Sequence, residues 1–198
     1  MSNITLFLSK YKPLLHPYRD STMLMSLYMA NQRGALTFVE TGTTRKDGDF
    51  HGDGQSTYIF GDYCKTILNN EGKIWTCDII EENIDMCKKV TKEFSDNIEY
   101  IVSDSLLFLE RFENKIDYLY LDSFDSSAGQ KEEAALHNFE ELKLALPNTH
   151  ESTIIVIDDY RVHGKKGKHK GKYSVPYLID NGWRLANSTG FQAVLVRK

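Results

Sequence analysis

Residues 153–160 read TIIVIDDY. Thr153, Ile154, Ile155, Val156 and Ile157 are all β-branched, and no polar residue alternates with them. A run of that kind is a strand buried on both faces, as in a parallel sheet covered by helices. It stops at a pair of aspartates, Asp158 and Asp159. Working outward, the same kind of run recurs upstream at Ala35–Glu40, Lys73–Asp78, Ile98–Ser103 and Ile116–Leu121. Downstream it recurs at Trp183–Ala186 and Phe191–Val196.

Helical spacing fills the gaps, over Ser56–Leu68, Glu82–Phe94, Asp104–Phe112 and Gln130–Leu146. A further helix is predicted over Ser174–Asn181, with Pro176 in its first turn and Asn181-Gly182 as its stop. An N-terminal helix is predicted over Ser21–Asn31, capped by Asp20 or Ser21 and ended by Gly34. Strands alternating with helices predict a doubly wound α/β sandwich of three layers. Residues 187–190 are too short for a parallel crossover, so one of the two final strands must run antiparallel to its neighbour. The expected organisation is one domain over 1–198, with a helical cap at 1–34 and the sheet at 35–198.

Composition narrows the function classes. The chain has 198 residues, 41% hydrophobic and 26% charged, which is the balance of a globular domain. A net charge of −4 does not suit a protein that coats nucleic acid or an anionic membrane. No apolar run approaches the ~20 residues of a membrane span. Lys10, Lys12, Pro13 and Pro17 break the first segment, which has no signal-peptide layout, so a cytoplasmic location is expected. Cys64, Cys77 and Cys87 show no CxxC spacing and are expected as buried apolar residues, not as a disulfide or zinc framework.

Ligands of an open α/β sheet sit beyond the C-terminal strand ends, so those ends carry the functional reading. The first strand ends in Glu40-Thr41-Gly42. The glycine lets a ligand approach the backbone, and Glu40 suits an amino group. Gly54-Gln55-Ser56-Thr57 opens the next helix, whose free N–H groups suit a carboxylate. A plain glycine turn and helix cap is the alternative. Asp78 is placed for ribose hydroxyls. Ser103-Asp104-Ser105 suits either a helix cap or an adenine amino group. Asp122, Asp125, Asp158 and Asp159 crowd one edge of the sheet. Such crowding needs protons or a cation, and carboxylate oxygens suit a hard divalent ion such as Mg²⁺. Solvated or backbone-bonded carboxylates are the alternative.

This ordered set resembles the class I S-adenosylmethionine-dependent methyltransferases over roughly Leu36 to Lys198. It looks most like the divalent-metal-dependent O-methyltransferases of catechol and sugar type. The resemblance implies a seven-stranded sheet with the last strand antiparallel. It implies S-adenosylmethionine held by Glu40, Gly42, Ser56, Asp78 and Asp104, with Thr41, Thr57, Ile79, Ser103, Ser105 and Asp122 beside them. It implies a metal held by Asp122, Asp158 and Asp159. The chain departs from the family at several points. Thr43-Thr44 replaces the second turn glycine, and Arg45–Gly54 lengthens the first loop into a Gly/Asp-rich lid. Asp159 follows the sugar type, whereas Asp125 stands where the catechol type has its lysine base. The first candidate for the base is Asp125 and the second is His163.

Arg161–Lys172 reads RVHGKKGKHKGK, with six Lys or Arg and no acid. It is read as a flap favouring an anionic small molecule, such as a phosphorylated or nucleotide-linked sugar, or else as a solvated face. Without interleaved aromatics it does not suit nucleic acid. The turn Asp122-Ser123-Phe124-Asp125 also lacks the double proline of base-modifying nucleic-acid methyltransferases. Tyr11, Tyr18, Met23, Met25, Tyr28 and Met29 of the cap suit packing on the sheet, a pocket cover or a homodimer contact. Two rivals stand beside methyl transfer. A nicotinamide-dependent oxidoreductase would want GxGxxG after the first strand, where Gly42 is followed by Thr43, Thr44 and Arg45. A non-catalytic cofactor-binding module on the same fold is the other.

Overall fold

A computed structural model describes residues 3–124, 130–160, 169–189 and 191–198. Its strands are β1 (Thr37–Thr41), β2 (Lys73–Asp78), β3 (Ile98–Val102), β4 (Ile116–Leu121), β5 (Thr149–Ile157), β6 (Trp183–Ser188) and β7 (Ala193–Arg197). Its helices are α1 (Asn3–Tyr11), α2 (Asp20–Arg33), α3 (Ser56–Thr66), α4 (Glu81–Val90), α5 (Ser105–Glu110), α6 (Lys131–Ala145) and α7 (Gly171–Asp180). The strands form one seven-stranded sheet in the order β3-β2-β1-β4-β5-β7-β6. Pairing from β3 to β5 is parallel, and β7 runs antiparallel to both β5 and β6.

Period-two alternation sorts the sheet's side chains into two cores. Phe38, Ile74, Tyr118, Ile154 and Val196 face α1, α2 and α3, where they meet Phe7, Leu27 and Phe60. Val39, Leu119, Ile155 and Leu195 face the other way, toward Phe108, Leu142 and Leu178 of α5, α6 and α7. Because both faces are covered there, the C-terminal halves of β4 and β5 read as apolar runs. The cap packs on the first core, with Tyr11 and Met23 buried, while Tyr18 and Tyr28 stay exposed. Cys64, Cys77 and Cys87 are buried free thiols. Among the described residues no helix is long and apolar enough to cross a membrane.

Several element boundaries differ from the sequence reading. α1 was not anticipated, since Lys10, Lys12 and Pro13 obscure a single short apolar face of Ile4, Phe7 and Tyr11. Arg19, not Asp20 or Ser21, holds the cap position of α2, while Gly34 closes that helix in the left-handed conformation. The segment after α4 tightens into a 3-10 turn at Lys92–Asn97. α7 starts at Gly171, which puts Pro176 inside the helix and not in its first turn. A proline there leaves one helical carbonyl without its N–H, and the helix is short enough to carry that cost.

Phe38 is fully buried at the centre of the first core, with ring centroids of Tyr118, Phe60 and Tyr63 at 5.1, 5.7 and 5.7 Å. Phe38→Ala is expected to cost about 3–5 kcal/mol of stability, read as a lower urea midpoint with an unchanged slope.

Candidate active site

Hydrogen bonding continues one residue past the strand ends and so fixes where the acidic residues emerge. Gly42 N donates to Cys77 O at 2.8 Å, Asp122 N to Thr41 O at 2.9 Å, and Asp158 N to Leu121 O at 3.0 Å. Gly42 has φ of 79°, and a Cβ there would lie 2.6 Å from the Asp122 carbonyl oxygen. No side chain fits that seam between β1 and β4, so the backbone itself forms the wall.

In front of this edge lies a cavity of about 520 Å³. Of the sequence-predicted cofactor residues it gathers Gly42, Ser56, Asp78, Ile79, Asp104, Ser105 and Asp122. Arg45 and Asp53 of the lengthened first loop also line it. Asp78 Oδ1 accepts from Ile80 N at 2.9 Å and Oδ2 from Asn83 Nδ2 at 3.1 Å, which holds the carboxylate at the end of β2. Asp104 caps α5 by accepting from Leu106 N at 2.8 Å. α3 begins at Ser56 behind Gln55, with no side chain capping it. A carboxylate reaching that helix start would find free N–H groups. The Gly42 backbone, Ser56 at the start of α3, and the Asp78 and Asp104 carboxylates thus line one cavity at the strand ends.

Other predicted residues lie outside the cavity lining. Glu40 is fully buried behind the wall, where its Oε2 accepts from Thr57 Oγ1 at 2.6 Å and Thr76 Oγ1 at 2.8 Å. Through these bonds it ties α3 and β2 to β1. Burial raises its carboxyl to about 7, against the opposing pull of Ser56, Thr57 and Thr76. Thr57 also accepts from Thr44 N, Thr41 is buried, and Ser103 bonds its hydroxyl to Asp104 O. The candidate bases Asp125 and His163 lie outside the described residues.

Asp122, Asp158 and Asp159, the residues expected to hold a metal, lie beside basic side chains. Among the described residues no group of three or more His, Cys, Asp or Glu side chains is arranged to hold a metal ion. The aspartates are bonded to basic side chains instead. Lys170, fully buried, places Nζ 2.7 Å from Asp122 Oδ1, 3.2 Å from Asp122 O and 3.4 Å from Asp159 Oδ2. Arg19 Nη2 lies 3.1 Å from Asp158 Oδ2, which also accepts from Tyr120 Oη at 2.9 Å. Burial and the Asp158 charge raise Asp122 to about 6, against the pull of Lys170 and Arg19. Burial works against the Lys170 ammonium, but Asp122 and Asp159 overrule it and hold that amine charged.

Sequence reading missed Lys170 and Arg19, and also a histidine in the cavity wall. His137 lines the cavity, 2.9 Å from Ser105 Oγ and 3.7 Å from Glu141 Oε1. Ser123 Oγ donates to the same Glu141 oxygen at 2.5 Å. The nearby Glu141 carboxylate raises His137 above its ordinary pKa, against the effect of burial. The i,i+4 spacing of His137 and Glu141 was the available signal.

No protein-family model matches the chain, and no curated protein matches it in sequence. The fold does have counterparts among solved structures. An O-methyltransferase from Bacillus cereus in complex with SAH is 17% identical, with a TM-score of 0.59 over 87% of this chain and 78% of that one. An SAH-bound methyltransferase from Podospora anserina is 13% identical, with a TM-score of 0.59 over 100% and 88%. A methyltransferase from Geobacter sulfurreducens is 12% identical, with a TM-score of 0.60 over 100% and 89%. At these identities the likeness is one of fold.

Glu40 provides a pH test of the wall. Its folded pKa lies above its unfolded one, so folding favours the protonated form. That contribution is full below the ordinary glutamate range and is lost as pH rises through about 7. Glu40→Gln should therefore gain about 2–3 kcal/mol relative to the wild type between pH 5 and pH 8.5. Denaturant titrations of the ligand-free protein at the two pH values measure it. A difference between the two proteins that stays constant with pH contradicts it.

Proposed function

We propose that this chain is an S-adenosylmethionine-dependent methyltransferase acting on a hydroxyl of a small molecule. The observation that carries the reading is the single cavity at the C-terminal strand ends. The Gly42 backbone, Ser56 at a helix start, the Asp78 carboxylate and Ser105 line it together, and these groups would suit an amino acid, a ribose and a purine. The fold shared with methyltransferases, two of them SAH-bound, supports it.

When bound, the cofactor supplies a methyl group made electrophilic by a sulfonium. The chain's own residues do the rest. The α3 start and the Gly42 backbone fix the amino-acid end, and Asp78 accepts from the ribose diol. The acceptor hydroxyl must lose its proton for the transfer to proceed. Asp125 is our first choice for that proton, because it directly follows Phe124, which lines the cavity with φ of 53°. His163, beyond Asp159 in the same chain segment, is the second. The basic run still favours an anionic acceptor such as a phosphorylated or nucleotide-linked sugar. Two of its lysines are already engaged: Lys170 holds the acidic rim, and Lys172 pairs with Glu132. That preference therefore rests on Arg161, Lys165, Lys166 and Lys168.

Calorimetric titration with S-adenosylmethionine tests the reading, and binding of NAD in its place contradicts it. Asp78→Ala should weaken cofactor binding about 10- to 100-fold, the worth of a hydrogen bond to a charged group, with the melting temperature nearly unchanged. Asp125→Asn should leave cofactor affinity intact and lower methyl transfer about 10²- to 10⁴-fold, measured as S-adenosylhomocysteine formed with an accepted hydroxyl compound.

A further inference from the structure

The acidic rim carries three aspartates, Asp158 buried and Asp122 and Asp159 partly buried. Arg19 and Lys170 bring two positive charges to them, the same charge a divalent ion would bring. Lys170 has three N–H groups, and three acceptors lie around it: Asp122 Oδ1 at 2.7 Å, Asp122 O at 3.2 Å and Asp159 Oδ2 at 3.4 Å. Two of its donors are bonded to Asp122, and Asp159 adds an ion pair. The side chain is completely buried and enters from the start of α7, near the end of the basic run. Gly171 follows it, where a Cβ would fall 2.3 Å from the Tyr160 ring, so the chain passes close against the residue that follows the aspartate pair. The second cation comes from the cap. Arg19 Nη2 reaches Asp158, and its Nη1 donates to Gly52 O at 2.9 Å.

We propose that Lys170 is the resident cation of this rim, a positioning residue that stands in place of a divalent metal and fixes the Asp122 carboxylate at the cavity edge. An ammonium bonds at hydrogen-bond distances, whereas Mg²⁺ needs oxygens at about 2.0–2.1 Å in octahedral order. A metal could enter only by displacing Lys170 and leaving its charge buried without a partner. The rim is thus completed by the polypeptide itself, and chelators have nothing to remove. The inference rests on the charge pairing and stands apart from the methyl-transfer reading.

Mn²⁺ alone is the probe, followed by the free-ion electron paramagnetic resonance signal. The wild type should leave that signal undiminished and should melt at the same temperature in EDTA and in MgCl₂. Lys170→Ala opens the space and strips the rim of a charge. It should melt several degrees lower in EDTA, take up about one Mn²⁺ per chain and regain part of the loss in MgCl₂. Lys170→Arg should restore the metal-independent melting of the wild type. Adding Asp122→Asn to Lys170→Ala should abolish the Mn²⁺ uptake. Stoichiometric uptake of Mn²⁺ by the wild type overturns the proposal and needs no variant to fold. A folded Lys170→Ala that takes up none also overturns it. S-adenosylmethionine titration in EDTA separates the two readings. A wild type that binds both cofactor and Mn²⁺ removes the Lys170 proposal alone, and one that binds neither removes the cofactor reading alone.

Discussion

Carboxylates taken out of water must be matched by charge, and the edge of this sheet is organised around that demand. Leaving one charge of a buried pair without its partner costs about 3–5 kcal/mol, a large share of a domain's total stability. Here Asp122 and Asp159 meet Lys170, and Asp158 meets Arg19. The pairing reaches across the whole molecule. Arg19 lies just before α2 in the cap, the aspartates follow β4 and β5, and Lys170 precedes α7. Neutral groups extend the network. Thr22 Oγ1 donates to Gln192 Oε1 at 2.6 Å, Gln192 Nε2 donates to Tyr120 Oη at 2.7 Å, and Tyr120 Oη donates to Asp158. The cap is therefore fastened to the sheet through polar bonds as well as through its apolar face.

The cavity is built differently from the rim. It draws on backbone geometry and strand ends, with Gly42 giving up its side chain so that β1 and β4 close against each other. Glu40 supports that wall from behind through two threonine hydroxyls. One edge of the sheet thus holds two regions with separate tasks. One is an open cleft shaped by main chain, and the other is a closed cluster of opposite charges. Asp122 belongs to both, since its carboxylate lines the cleft while Lys170 holds it.

Most of the fold was legible because strands buried on both faces leave unbroken apolar runs. TIIVI and the YLYL end of β4 are buried throughout, and the short link before β7 forced an antiparallel strand. The residues gathered at the cavity were legible for a related reason: the chain must place something at each strand end, and those positions can be read in order. The ion pairs could not be read that way. Lys170 sits in a run of lysines, histidines and glycines whose composition describes a solvated loop, and nothing local marks one of them as buried. Arg19 is an isolated cation next to the start of a helix. Both take their meaning from partners far away in sequence, Asp122 for Lys170 and Asp158 for Arg19. Four acids without visible partners suggested a metal for the same reason. The bonds of Glu40 were equally hidden, since its threonine partners lie on β2 and α3.

The same long-range pairing bears on how the chain acquires its structure during synthesis. A ribosome delivers Asp122, Asp158 and Asp159 before Lys170, and it delivers β5 before β7, the strand that covers its free edge. Until those later residues emerge, the nascent sheet holds repelling acids beside an unsatisfied row of main-chain groups. Such an edge is open to pairing with other chains. Only when Lys170 and β7 arrive are both liabilities removed, so the early half of the polypeptide can collapse but cannot lock until the late half is made.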